Sequence, residues 1–116
     1  MYDGDTITII SKYHDKVYKF HIRLRDIDTP ELKSKSAYEK KCATYVRDKL
    51  HELIFDKIVE IKNIGPEKFG RLLADIYLGD INISKWLLDN GLGYKYDGKT
   101  KVDATYWNEL FKTKIV

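Results

Sequence analysis

A chain of 116 residues with 43% apolar and 13% aromatic content can bury one core and is too short for two ordinary domains, so residues 1–116 read as a single domain. Charged residues reach 34%, but the signs nearly cancel at +3, which leaves only a modest tilt toward anionic partners. Cys42 is the only cysteine, which excludes an internal disulfide and a cysteine-built metal site. With no apolar stretch of signal-peptide length at the N-terminus and none approaching the ~20 residues of a membrane span, the chain reads as soluble and intracellular, with no membrane partner; a monomer is the expected state.

The first predicted elements are two strands, Thr6 to Ile10 and Val17 to Ile27, joined by a polar link from Ser11 to Lys16 as in a hairpin. Tyr18, Phe20, Ile22 and Leu24 alternate with Lys19, His21, Arg23 and Arg25, the period of a strand with one buried face. This pattern predicts that Arg23 and Arg25 share the solvated face. The alternation slips between Leu24 and Ile27, which predicts a bulge or bend just ahead of Asp28, and Pro30 then stops the strand.

After a polar loop from Lys33 to Ser36, the Ser36/Glu39 capping box marks a helix start. Ala43, Val46, Leu50, Leu53 and Ile54 recur at three- and four-residue spacing, so this helix carries one apolar stripe, and Cys42 lies on its face. Ile58 to Ile64 and Leu72 to Leu78 are strand-like and joined by a loop from Gly65 to Gly70. Gly79-Asp80 is a tight turn into Ile81 to Ile83, and Ser84 to Asp89 is a short helix ended by Gly91. The order predicts a mainly β protein with helices (α+β), a five-stranded Greek-key barrel with two or three packed helices.

Four acids flank the first two strands: Asp3 and Asp5 in D-G-D-T, and Asp28 and Glu31 in D-T-P-E. Antiparallel pairing puts Asp5 and Asp28 at the same end of the sheet. Two carboxylates plus a carbonyl, without His or Cys, suit calcium or magnesium better than zinc. Arg23 and Arg71 add guanidinium forks that match the geometry of a phosphodiester. Arg23 lies five residues before Asp28, so the two project from opposite faces of an ideal strand, and the bend is needed to bring them to one pocket.

Each signal has a plainer reading. Asp-Gly is a turn signal, Thr-Pro-Glu ends a strand ahead of a helix, and Arg71 is a solvated cation. No two of His14, His21 and His51 sit at a metal-ligand spacing on one element. Tyr94, Tyr96 and Tyr106 read first as core or interface, and second as base-stacking surface.

Taken in order, D-G-D-T at Asp3 to Thr6, R-L-R-D-I-D-T-P-E at Arg23 to Glu31 and K-F-G-R at Lys68 to Arg71 resemble the staphylococcal nuclease (thermonuclease-like) family. The likeness continues through L-L-A-D-I-Y at Leu72 to Tyr77 and I-S-K-W-L-L-D-N-G-L at Ile83 to Leu92. The resemblance implies an OB-fold barrel, calcium held by Asp5, Asp28 and the carbonyl of Thr29, and Glu31 as general base toward a water beside the ion. It implies that Arg23 and Arg71 clamp the scissile phosphate, with Asp3 beside the metal without being one of its ligands. Lys68, Tyr94 and Tyr96 are further candidates for contact with a DNA or RNA substrate. In relatives a tyrosine often stands where this chain has Phe69, and a glycine or apolar residue where it has Asp26. The expected activity is calcium-dependent cleavage of nucleic acid to 3′-phosphate ends. The alternatives are a catalytically inactive OB-fold module that binds nucleic acid or protein, and a generic single-strand binder. Intact acids and arginines argue against the first, and the near-neutral charge against the second.

Overall fold

The computed structural model describes residues 5–66, 72–96, 107, 110 and 111. Strands β1 (Thr6–Tyr13) and β2 (Lys16–Leu24) form an antiparallel hairpin in which Thr6 stands opposite Arg23 and Tyr13 opposite Lys16. The hairpin is longer than the polar Ser11 to Lys16 link predicted. His14 and Asp15 both take positive φ, 48° and 64°, which closes a two-residue turn and lets the ladder run to Tyr13.

A correction also falls on β2. Only its last three residues, Ile22, Arg23 and Leu24, pair with a third strand, and only there is the strand buried on both faces. Farther out β5 no longer runs beside the hairpin, and Tyr18 and Phe20 are 42% and 37% exposed. Alternation therefore marked the core at Ile22 and Leu24 but overstated it toward the turn. Arg23 is buried, not solvated.

The predicted bend is present. Asp26 turns the chain with φ 61°, and the two-residue strand β3 (Ile27–Asp28) then leaves the first sheet to pair antiparallel with β7 (Tyr94–Lys95). Helix α1 (Ala37–Ile54) follows, capped by Ser36, whose Oγ accepts a hydrogen bond from the Glu39 amide. The predicted stripe faces the core: Ala43, Val46, Leu50 and Ile54 are buried, and Leu53 packs at its margin.

Strand β4 (Glu60–Pro66) runs antiparallel to β5 (Leu72–Leu78), with a register shift between Lys62 and Gly65 where Asn63 takes φ 55°. Gly65 and Pro66, expected in a loop, extend β4, and the rest of that loop lies outside the described residues. Strand β5 lies parallel to β2, turns at Gly79 into the short β6 (Ile81–Asn82), and leads to α2 (Ile83–Asp89). Gly91, at φ 65°, ends the helix as expected.

The result is α+β: a mixed five-stranded sheet in the order β1-β2-β5-β4, with β6 on β5, a separate β3-β7 ribbon, and two helices. Among the described residues no pairing joins β1 to β4. The core lies between sheet and helices, where Ile22, Leu24, Ile76, Leu50 and Leu87 meet Trp107 and Phe111. No helix of the described residues is long and apolar enough to cross a membrane.

Candidate active site

The root of the β1-β2 hairpin sets the first half of the site. The Leu24 amide donates to the Asp5 carbonyl at 2.7 Å, which continues the ladder one step past Thr6 and fixes Asp5 beside the end of β2. Asp5 is 3% exposed and Arg23 5%, and the Arg23 Nη2 lies 3.5 Å from the Asp5 Oδ2. The guanidinium is held from two other sides. Its Nη1 donates to the Leu24 carbonyl, 2.6 Å away, and its Cζ stands 5.4 Å from the centre of the Tyr96 ring. The Thr6 hydroxyl donates to Asp5 Oδ1 at 3.3 Å.

The second half comes from the ribbon. The Tyr96 amide donates to the Asp26 carbonyl at 3.0 Å, and Asp28 stands opposite Tyr94. Asp28 and Thr29 are buried, at 1% and 0% exposure. Gly93 makes this close approach feasible: a Cβ there would lie 2.8 Å from the Asp28 carbonyl oxygen and 3.0 Å from the Ile27 side chain. Arg23 touches Tyr96, and Asp28 pairs with Tyr94 two residues away, so both halves of the site contact the segment 94–96. The bend at Asp26 makes this possible, because it releases Ile27 and Asp28 from the β2 pleat.

Glu31 sits half-buried in the loop between β3 and α1. Its amide donates to Glu39 Oε2 at 2.9 Å, and its carbonyl accepts from the Ser34 amide at 3.2 Å. The Ser34 hydroxyl donates to Glu39 Oε1 at 2.7 Å. Glu39, read from the sequence only as half of a capping box, is thus a buried carboxylate gripping both ends of the Glu31 turn. The S-x-x-E spacing was the visible signal, but it does not say where the carboxylate points.

Arg25 leaves the site altogether. Its Nε donates to the Asn63 carbonyl at 2.7 Å, bracing the β4 bulge, while its own carbonyl accepts from the Ser84 hydroxyl at 2.9 Å. The two arginines predicted on one solvated face therefore diverge: Arg23 goes to the buried acid, Arg25 to a neighbouring strand. Tyr94 packs against Trp107, ring centres 5.2 Å apart, and Tyr96 lies under Arg23. His21 hydrogen-bonds Thr8, His51 stacks on Phe55, and His14 sits in the hairpin turn. Asp3, Lys68, Phe69 and Arg71 lie outside the described residues, as does Tyr106.

Burial, and after it the negative charge of Glu39, push the Cys42 thiol up to about 11, so it stays protonated at neutral pH and offers no nucleophile. Among the described residues no three His, Cys, Asp or Glu side chains gather around one point. The implied calcium set asks for two carboxylates and a carbonyl. Its donors are oxygen only; Asp5 Oδ2 faces the Arg23 guanidinium at 3.5 Å, and Thr29 Oγ1 is buried without a hydrogen bond among the described residues. A buried polar atom left so costs about 1–3 kcal/mol unless water or a cation meets it. In chemistry, an oxygen-only donor set of this kind is what a hard cation takes.

Fold and site together define a class: a small α+β domain with a buried carboxylate–guanidinium pair and oxygen donors at one end of its sheet. The sequence profile of the staphylococcal nuclease homologue family matches residues 21–115, and the chain belongs to that family. It is 31% identical over 94 residues to an uncharacterized endonuclease of Haemophilus influenzae, covering 81% of this chain and 48% of that protein. It is 37% identical over 90 residues to the probable staphylococcal-like nuclease CAN2 of Oryza sativa, covering 76% of this chain and 23% of the rice protein. The staphylococcal-like nuclease CAN1 of Arabidopsis thaliana is 32% identical over 99 residues, covering 84% of this chain and 29% of its own length. The chain thus spans about half of the bacterial relative and about a quarter of the plant ones.

Proposed function

We propose that this chain is a calcium-dependent nuclease that hydrolyses phosphodiester bonds of DNA or RNA. Family membership and relatives named as nucleases support the reaction class. The observation that carries the site assignment is the buried Asp5–Arg23 pair at 3.5 Å, together with the buried Thr29 hydroxyl, which has no hydrogen bond among the described residues. The OB-type barrel implied by the resemblance belongs to the same reading.

Asp5, Asp28 and the Thr29 carbonyl would hold the calcium ion, which when bound supplies a fixed positive charge that favours a phosphate and a more acidic water. The chain's own groups do the rest. Glu31 takes a proton from the attacking water as its oxygen bonds to phosphorus, the role of a positioned general base. Arg23 and Arg71 hold the phosphate oxygens as charge grows on them, and guanidinium forks do this bidentately. The bond from phosphorus to the 5′ oxygen breaks, leaving a 3′-phosphate and, once that oxygen gains a proton, a 5′-hydroxyl. Burial of Arg23 against Asp5 and Tyr96 keeps its fork oriented before substrate arrives. Lys68, Tyr94 and Tyr96 are assigned to the surroundings of the substrate strand, and Asp3 to the surroundings of the metal.

The test is cleavage of a fluorogenic single-stranded DNA with added calcium and then with excess chelator. Cleavage that needs calcium and stops with chelator is the expected result. Binding of the oligonucleotide without cleavage in calcium would leave a non-catalytic module in its place.

A further inference from the structure

Glu39 does not close the capping box in the usual way. In that box the acid at the third helical position bonds back to the amide of the capping residue. Here the Ser36 amide donates instead to the Ser34 hydroxyl oxygen at 3.1 Å, and the Glu39 carboxylate is spent elsewhere. One of its oxygens takes the Glu31 amide and the other the Ser34 hydroxyl, so a single buried side chain clasps both ends of the turn from Glu31 to Ser34. The carboxylate stands in the first turn of α1, where the helix dipole favours its negative charge. Helix α1 is itself fixed by its buried stripe. The grip therefore ties a short loop directly to a helix anchored in the core.

From this geometry we propose that Glu39 is the positioning residue for Glu31. The inference rests on the reading of Glu31 as the base. A base must meet its proton within hydrogen-bond reach, and a displacement on the order of 1 Å can cost about 10²-fold in rate. The Glu39 carboxylate is bonded to the Glu31 amide and the Ser34 hydroxyl; it fixes where the Glu31 backbone starts, and so where the Glu31 carboxylate ends.

The experiment measures kcat and KM on single-stranded DNA at saturating calcium for Glu39→Ala, Glu39→Gln and Ser34→Ala, each alone and combined with Glu31→Gln. Thermal melts run alongside identify the folded fraction. Glu39→Ala is expected to lower kcat about 10- to 100-fold with KM nearly unchanged. Glu39→Gln keeps an acceptor for the Glu31 amide and a donor for Ser34, and should stay within about threefold of wild type. Ser34→Ala removes one of the two holds and should lower kcat by less than Glu39→Ala. In the Glu31→Gln background none of these changes should reduce the residual rate further, because the group they position is gone.

Wild-type kcat in folded Glu39→Ala, with only a lower melting temperature, would overturn the proposal and leave Glu39 as a helix-end staple. So would an equal loss in both backgrounds. Should Glu39→Ala fail to fold, Ser34→Ala decides: an unchanged kcat there rejects the clasp. Wild-type turnover by Glu31→Gln alone would instead remove the base assignment itself, a failure distinguishable from that of Glu39.

Discussion

Asp26 shows how much one residue's backbone decides. Its φ of 61° ends β2 and starts the ribbon, and without that turn Arg23 and Asp28 would point to opposite faces of one strand. Arg23 is then committed to Asp5, a buried pair in which the loss of either partner strands a charge. Glu31 is different, being half-buried and held through its backbone. Glu31→Gln should therefore lower kcat by about 10²- to 10⁴-fold, the range for a positioned base, with little change in melting temperature. Steady-state kinetics paired with a thermal melt check this, and turnover like that of wild type would take Glu31 out of the mechanism.

Among the elements, the β3-β7 ribbon is small but consequential. Two residues on each side carry Asp28 into place, and Gly93 lets them approach. An alanine at position 93 would press its methyl group onto the Asp28 carbonyl and the Ile27 side chain. The carbonyl is backbone and the Ile27 side chain is fully buried, so the ribbon must shift. Gly93→Ala is expected to destabilise the fold by about 1–3 kcal/mol and to weaken calcium binding, read by denaturant unfolding and by calcium titration. Unfolding and calcium affinity both matching wild type would mean the ribbon has slack. Helix α1 was the most legible element, since the Ser36 cap and the three-and-four spacing of its apolar residues are local properties of the chain. Strand β2 was half legible. Its alternation was plain, but which half would be covered depended on how far β5 runs beside it.

For the molecule as a whole, an ion that binds the folded state and not the unfolded one must raise stability. Calcium at about 100 times its Kd should add ~2.7 kcal/mol, which raises the melting temperature of a domain of this size by about 10 °C. Chelator should reverse the shift and Asp5→Asn should abolish most of it, while magnesium, with its stricter octahedral shell, should give a smaller one. A melting curve indifferent to calcium would separate the Asp5, Asp28 and Thr29 oxygens from any metal role. This measurement does not depend on turnover, so it tests the site apart from the reaction.

By itself the sequence determined the elements whose cause is local: the hairpin, the cap and stripe of α1, strand β5, the Gly79 turn, the short α2 and the break ahead of Asp28. It also brought the motifs into an order that marks the family. Only the tertiary structure decided that Arg23 is buried against Asp5 while Arg25 crosses to β4, because alternation reports a face and not the neighbour waiting there. The same holds for Glu39 and Gly93, whose partners Glu31 and Asp28 lie 8 and 65 residues away and meet them only when helix, loop and ribbon pack together.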